Sequence, residues 1–357
     1  MASPRPQPAG RRRQRRFVRF FLAVFLAGGL AACAPHVQWA GPPANPPRLS
    51  DGTIITADGL PLPLRRWLPD GQPEAVILAL HGFNDYSNAF EAAGVYWAKR
   101  GIATYAYDQR GFGGAPHRGL WAGSATYAAD LRIAAGLLRA RHPGAPFYIL
   151  GESMGGAIVM TAMAGAEAPD GKPLGADGVI LVAPAVWGRG FMPFYQTLPL
   201  WFAARLIPWW EVTGEGLDIR PSDNIAMLRK FAADPMVIKE TRIDTIHGLV
   251  DLMDEAQDAA SALTARSLLL YGAKDEVVPD DPTFAMIRRL PRREPPLHKV
   301  AIYAKGYHML LRDLQAETVM ADVVAWLAAP GRPLPSGADR RPADAAPDDP
   351  RPPANTP

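Results

Sequence analysis

Six apolar runs that do not alternate with polar residues constrain this chain more than any other feature. They are AVILAL (75–80), IATYAY (102–107), FYIL (147–150), GVILV (178–182), SLLLY (267–271) and KVAIY (299–303). Each is too short for a buried helix and is bounded by turn residues, so each reads as a strand covered on both faces. Helical patterns lie between them. SNAFEAAGVYWAKRG closes on Gly101, and SATYAADLRIAAGLLRARHPG carries an apolar stripe of Tyr127, Leu131, Ala134 and Leu138. The second helix is expected to start with Ser124 or Thr126 as N-cap and to end at His142-Pro143-Gly144. GTIITADGLPLPLRRWLP reads as an edge hairpin. The expectation is an α/β chain whose central sheet is mostly parallel, with helices on both faces. Ligands in such sheets sit beyond the carboxyl ends of the strands.

One strand end stands out. In ILGESMGGAI (149–158) the strand stops at Gly151, and Ser153 lies in a Gly-x-Ser-x-Gly turn that opens a third, apolar helix. A tight strand–turn–helix junction of this kind lifts a serine hydroxyl to the rim of the sheet, and Gly151 and Gly155 leave room for a strained backbone there. Gly156 lets the helix approach the sheet. The backbone N–H of Met154 points to the same place, at the positive end of a helix. A serine needs a base, and the base needs an orienting acid, in the chain order Ser, acid, His. Asp275 in LLLYGAKDEVVP and His308 in VAIYAKGYHMLL each follow an apolar run in that order.

The competitors fit less well. His36 lies in a Pro-rich stretch, His117 in a loop, His142 at a helix end, His247 in an inserted segment, and His298 at the wrong end of its strand. Glu276 points away from its neighbour Asp275, and Asp108 reads as a loop-fixing residue paired with Arg110. A second oxyanion donor is expected from HGFND (81–85), with Phe83 N–H as the donor and His81 bracing the loop. Glu152, beside the serine, is expected to make a local hydrogen bond.

Gly151-Glu152-Ser153-Met154-Gly155-Gly156, His81-Gly82-Phe83, Tyr107-Asp108-Gln109-Arg110-Gly111, Tyr271-Gly272-x-x-Asp275 and Gly306-x-His308 occur in order. On these motifs the chain resembles the α/β-hydrolase superfamily. It is most similar to the monoacylglycerol lipase, lysophospholipase and serine-aminopeptidase-like branch, over about residues 50–328. The resemblance implies Ser153 as nucleophile, Asp275 as acid, His308 as base, and the N–H groups of Phe83 and Met154 as the oxyanion hole, with no cofactor and no metal. Two departures stand out: Glu152 occupies an elbow position where many relatives carry His, and Met309 follows the base where an acid is frequent.

The resemblance also implies a helical cap inserted after the sixth strand, about residues 187–264. Its segment WGRGFMPFYQTLPLWFAARLIPWW (187–210) is dense in aromatics, which are expected either to form the cap's own core or to serve an acyl pocket or a membrane interface. The reaction expected is cleavage of a carboxylic ester, monoacylglycerol- or lysophospholipid-like, through an acyl-enzyme on Ser153. The alternatives are a short-acyl carboxylesterase, an aminopeptidase-like hydrolase, and a non-catalytic lipid-binding lipoprotein. Activity is expected to fall on the acid side near the ordinary histidine value of about 6.5.

Both ends differ in composition from the domain at 49–329. Residues 1–32 hold seven Arg and no acid, followed by an apolar stretch ending in LAAC (30–33), which resembles a bacterial lipobox. The resemblance implies cleavage before Cys33, the chain's single cysteine, and lipidation of its thiol. That would give a lipid-anchored protein of the cell envelope, with the outer membrane preferred. The formal charge of +3 becomes −4 without those arginines, which removes a nucleic-acid reading. Residues 33–48 read as a Pro-rich tether, and 330–357 as a disordered Pro-rich tail.

Overall fold

A computed structural model describes residues 35–164, 173–214 and 216–340. Cys33, the leader 1–32 and residues 341–357 lie outside the described residues. The strands are β1 (Arg48–Ser50), β2 (Thr53–Ile55), β3 (Pro61–Trp67), β4 (Ala75–Leu80), β5 (Ile102–Tyr107), β6 (Phe147–Glu152), β7 (Gly178–Val182), β8 (Glu211–Thr213), β9 (Glu240–Arg242), β10 (Ser267–Gly272) and β11 (His298–Tyr303). The helices are α1 (Glu91–Ala98), α2 (Ser124–Arg141), α3 (Met154–Ala164), α4 (Phe194–Leu206), α5 (Ile225–Ala233), α6 (Ile243–Ala259), α7 (Asp280–Arg289) and α8 (Ala316–Ala328).

Nine strands form one sheet in the order β1-β2-β3-β5-β4-β6-β7-β10-β11. Pairing is antiparallel from β1 to the β3–β5 junction and parallel from there on. Every residue of β4, β5, β6, β7 and β10 is buried, which is why their sequences do not alternate. One apolar core lies between the sheet and α2, α3, α6 and α7; a second lies between the opposite face and α1 and α8. Strand β1, absent from the sequence reading, adds one strand at the edge, so the cap follows the seventh strand rather than the sixth. Helix α2 buries its expected stripe, but Gly123 occupies the N-cap and no side chain caps the helix there. Among the described residues no helix is long and apolar enough to cross a membrane.

The cap is not purely helical: α4, α5 and α6 are joined by an antiparallel ribbon of β8 and β9. Helix α6 seats the cap on the sheet domain through Val250, Leu252, Met253 and Ala256.

Both flanking segments depart from their sequence reading where they are described. The tether is docked: Val37 bridges to Trp121, Gln38 N–H donates to the Trp121 carbonyl at 2.7 Å, and His36 N–H donates to Asp244 at 3.2 Å. Residues 330–340 pack along edge strand β11, where Leu334 is buried and Lys299 pairs with Asp339 at 2.9 Å. Composition averages over a window, so a single apolar anchor such as Leu334 in GRPLPSGAD is hidden by its Pro and charged neighbours. Covering an edge strand also removes a site of unwanted pairing.

Candidate active site

Strand β6 ends at Glu152, and Ser153 follows with a left-handed φ of 53°. A non-glycine residue in that region costs on the order of 1–3 kcal/mol and persists only where its surroundings hold it. Three backbone hydrogen bonds do so: Ser153 N–H donates to the Val182 carbonyl (2.9 Å), and its carbonyl accepts from Ala157 (3.1 Å) and Ala185 (2.9 Å). The glycines are required by contact. A Cβ on Gly151 would run into the Gly155 carbonyl, one on Gly155 into the Leu80 carbonyl, and one on Gly156 into Pro184.

The loop after β4 lies against the serine: a Cβ on Gly82 would stand 3.3 Å from Ser153 Cβ and 3.8 Å from its Oγ. Phe83 follows directly, so its N–H belongs to the same corner as that of Met154, the first residue of α3. First-turn N–H groups have no carbonyl one turn back to bond. His81 is buried with both ring nitrogens occupied. Nε2 accepts from Gln109 N–H at 3.0 Å, so Nδ1 carries the proton toward the Gly82 carbonyl at 2.8 Å. Burial holds the imidazole below its ordinary value, outweighing that bond and the nearby carboxylates. It is a neutral brace.

Asp275 and His308 meet. Asp275 Oδ2 lies 2.8 Å from His308 Nδ1, and Oδ1 accepts from Val277 N–H at 2.8 Å and Val278 N–H at 2.9 Å. The carboxylate side chain is fully buried, and the imidazole nearly so. Burial alone would push His308 down, but the charge and hydrogen bond of Asp275, helped by Glu152 and opposed by Arg312, raise it above its ordinary value. Asp313, hydrogen-bonded to Tyr307 N–H at 2.8 Å and to Ser222 Oγ at 2.6 Å, fixes the loop that carries His308.

Several neighbours behave differently from their sequence reading. Glu152 makes an ion pair rather than a local hydrogen bond: Arg312 Nη2 reaches its Oε2 at 3.3 Å, and Nη1 reaches Asp85 Oδ2 at 2.7 Å. Asp108 does fix a loop, through Ser87 N–H (2.9 Å) and Gly114 N–H (2.8 Å), but not through Arg110. Arg110 instead joins Asp58 and Asp130. The cap acids Asp251 and Asp254 both pair with Arg189, and His247 pairs with Asp251. Glu276 turns to Arg220 N–H at 2.7 Å. His142 meets Tyr105 Oη at 2.9 Å, and His298 meets Ser267 Oγ at 2.7 Å, so neither reaches the site.

Arg312, Asp85 and Asp313 were missed in the sequence. The usable signal was Glu152 itself: a carboxylate closing a wholly apolar strand needs a cation, and sequence cannot say which.

The cap is bonded onto these same loops. Met309 N–H donates to the Pro221 carbonyl (2.9 Å), Asn224 Nδ2 to the Arg312 carbonyl (3.0 Å), and Asn84 Nδ2 to Thr241 Oγ1 (2.6 Å). Trp187 packs against the main core, but most of the cap's aromatics do not form a core. On α4, Phe194, Tyr195, Leu198, Trp201 and Phe202 recur at positions i, i+1, i+4, i+7 and i+8, and all are exposed. Trp209 and Trp210 continue the exposed surface, at 52% and 58%.

Comparison with known proteins agrees with this architecture. The family model described as serine aminopeptidase, S33, matches residues 71–315. The monoacylglycerol lipase of Mycolicibacterium smegmatis is 26% identical over 265 residues, covering 73% of this chain and 90% of its own length. The human monoglyceride lipase is 25% identical over 286 residues, covering 77% of this chain and 89% of its own. Among solved structures, a soluble variant of monoglyceride lipase from Saccharomyces cerevisiae in complex with a substrate analog superposes with a TM-score of 0.63. Its identity is 17%, covering 82% of this chain and 97% of that one.

Proposed function

The chain belongs to the serine aminopeptidase S33 family, and from that premise we propose that it cleaves monoacylglycerols or lysophospholipid-like esters through an acyl-enzyme on Ser153. It is a serine hydrolase of carboxylic esters. His308 Nε2 takes the Ser153 proton as Oγ attacks the ester carbonyl carbon. The N–H groups of Phe83 and Met154 hold the oxyanion, and Asp275 keeps the imidazole proton on Nδ1. Collapse expels the alcohol, protonated by His308. Water deprotonated by the same imidazole then attacks the acyl-enzyme and releases the acid. The observation that carries this reading is the 2.8 Å pair of Asp275 and His308 at the sheet end where Ser153 is held left-handed.

The choice of a lipid ester is supported by the relatives' named substrates and by α4. A helix that turns its apolar stripe outward is stable where an apolar medium covers it, and a stripe of Trp, Phe and Leu with an arginine beside it suits a lipid surface. Arg205 stacks on Trp201 at 3.9 Å. The proposed anchor at Cys33 fits the same surface. His36 is bonded to Asp244, whose own N–H donates to the Pro208 carbonyl next to Trp209 and Trp210. A cell-envelope protein held cap-first on its membrane is the resulting reading. Among the acids near the site and on the cap, Glu152, Asp244, Asp251 and Asp254 are already paired with arginines, so none of these four is a free acid for the amine an aminopeptidase would bind.

The test is labelling by a fluorophosphonate probe together with turnover of a monoacylglycerol chain-length series. Labelling lost in Ser153→Ala, with turnover rising from short to long acyl chains, supports the proposal. Use of acetate esters alone, or faster cleavage of aminoacyl amides, refutes it.

A further inference from the structure

Arg312 has no place in the mechanism above, yet it pairs with residues next to its parts. It lies four residues after His308, in the loop of the base. Its guanidinium, 11% exposed, bridges two carboxylates from elsewhere in the chain. Asp85 stands two residues after Phe83 in the oxyanion loop, and its Oδ1 accepts from Tyr86 N–H at 2.8 Å. Glu152 immediately precedes Ser153. Three loops, distant in sequence, therefore meet at one cation. Its charge also lies 5.6 Å from the centre of the Phe231 ring, so an aromatic of the cap closes this cluster.

Two features argue against a plain structural pair. Glu152 is buried and its Oε1 has no hydrogen-bond partner among the described residues, so Arg312 is its one strong contact. An isolated buried carboxylate neutralises unless a cation holds it charged. The site also carries more acid than the pairing needs: one arginine faces both Asp85 and Glu152. The charged groups that act on the His308 imidazole are Asp275 from the loop after β10, Glu152 from the end of β6, and Arg312 and Asp313 from its own loop.

We propose that Arg312 is a positioning residue for the reaction: by bridging Asp85 and Glu152 it clamps the oxyanion loop and the nucleophile elbow to the loop of the base. In doing so it keeps a carboxylate beside the imidazole that must become positive. The inference rests on the triad reading given above. Arg312 touches no reacting atom, so its removal acts on the chemical step rather than on substrate binding. Glu152 raises the basicity of His308 and Arg312 lowers it. Neutralising Glu152 while Arg312 stays therefore moves the imidazole toward lower values.

The experiment compares the full-length parent with Arg312→Met, Arg312→Lys and Glu152→Gln on a soluble p-nitrophenyl ester, with thermal melts alongside. Arg312→Met is expected to lower kcat by about 30-fold or more with KM changed by less than about threefold, and Arg312→Lys to recover at least about fivefold of the loss. Glu152→Gln is expected to move the acid limb of kcat/KM to lower pH. A folded Arg312→Met with kcat near the parent value, a loss confined to KM, or an acid limb unmoved in Glu152→Gln overturns the inference. If Arg312→Met does not fold, Glu152→Gln decides alone, because it keeps the Arg312–Asp85 pair. A parent that the fluorophosphonate probe does not label at Ser153 refutes the triad reading instead, before any variant is compared.

Discussion

Replacing Asp275 by asparagine changes one atom and no volume, and the hydrogen bonds around it determine the outcome. Oδ1 faces two donors, the N–H groups of Val277 and Val278, at 2.8 and 2.9 Å. An amide must keep its oxygen there, since turning its NH2 toward them would bring donors against donors. The NH2 is then left facing His308 Nδ1, which Asp275 Oδ2 now meets at 2.8 Å. Nδ1 can accept that bond only without its own proton, so the imidazole proton moves to Nε2, the nitrogen that has to receive the serine proton. The base is present but in the wrong tautomer. A loss of about 10⁴-fold in kcat follows, near 5–6 kcal/mol of transition-state stabilisation at about 1.36 kcal/mol per decade, with KM little changed. The assay is steady-state hydrolysis of a soluble p-nitrophenyl ester, with the rate of fluorophosphonate labelling as a second measure of nucleophile activation. Glu276→Gln is the matched comparison, because Glu276 bonds Arg220 N–H and not the imidazole. It is expected to stay within about twofold of the parent. A folded Asp275→Asn within tenfold of the parent, or a larger loss in Glu276→Gln, would refute the reasoning.

Two further outcomes follow from buried charge. In the proposed mechanism His308 must be neutral to act as base, so kcat/KM is expected to rise with pH as it loses its proton. Asp275 and Glu152 together hold that proton beyond the ordinary value of 6.5, against burial and Arg312, so the half-point lies above 6.5 rather than at it; a titration centred at or below 6.5 contradicts this. Arg110→Met strands the carboxylates of Asp58 and Asp130, both under 10% exposed, and costs about 3–5 kcal/mol of stability. In calorimetry this appears as a melting temperature lower by on the order of 10 °C, with activity kept at room temperature, and an unchanged melt would show that the pair is dispensable.

Local pattern carried the reading a long way where burial was complete. The runs of β4, β5, β6, β7 and β10 were legible because strands covered on both faces need no polar residue. Ser153, Asp275 and His308 were legible as candidates because each follows such a run at the end where the chain turns. The reading failed at contacts between distant segments. A local bond is the natural expectation for Glu152, which flanks the nucleophile, whereas its partner is 160 residues away. Arg110 was assigned to its neighbour Asp108, but Asp58 and Asp130 take it. Leu334 and Val37 were averaged into Pro-rich windows, although each anchors its segment on the domain.

The succession of buried strands along the chain, the glycine-lined elbow and the chain order of serine, acid and histidine were determined by sequence alone, whereas the order of the strands within the sheet was not. Periodicity and turn chemistry act within a few residues, and those residues are neighbours in any fold. Only the tertiary structure decided which charges meet at Arg312, which way the aromatic face of α4 turns, and where the flanking segments lie. A long-range ion pair leaves no spacing in the sequence, because any arginine can serve a buried carboxylate, and packing alone selects which one arrives.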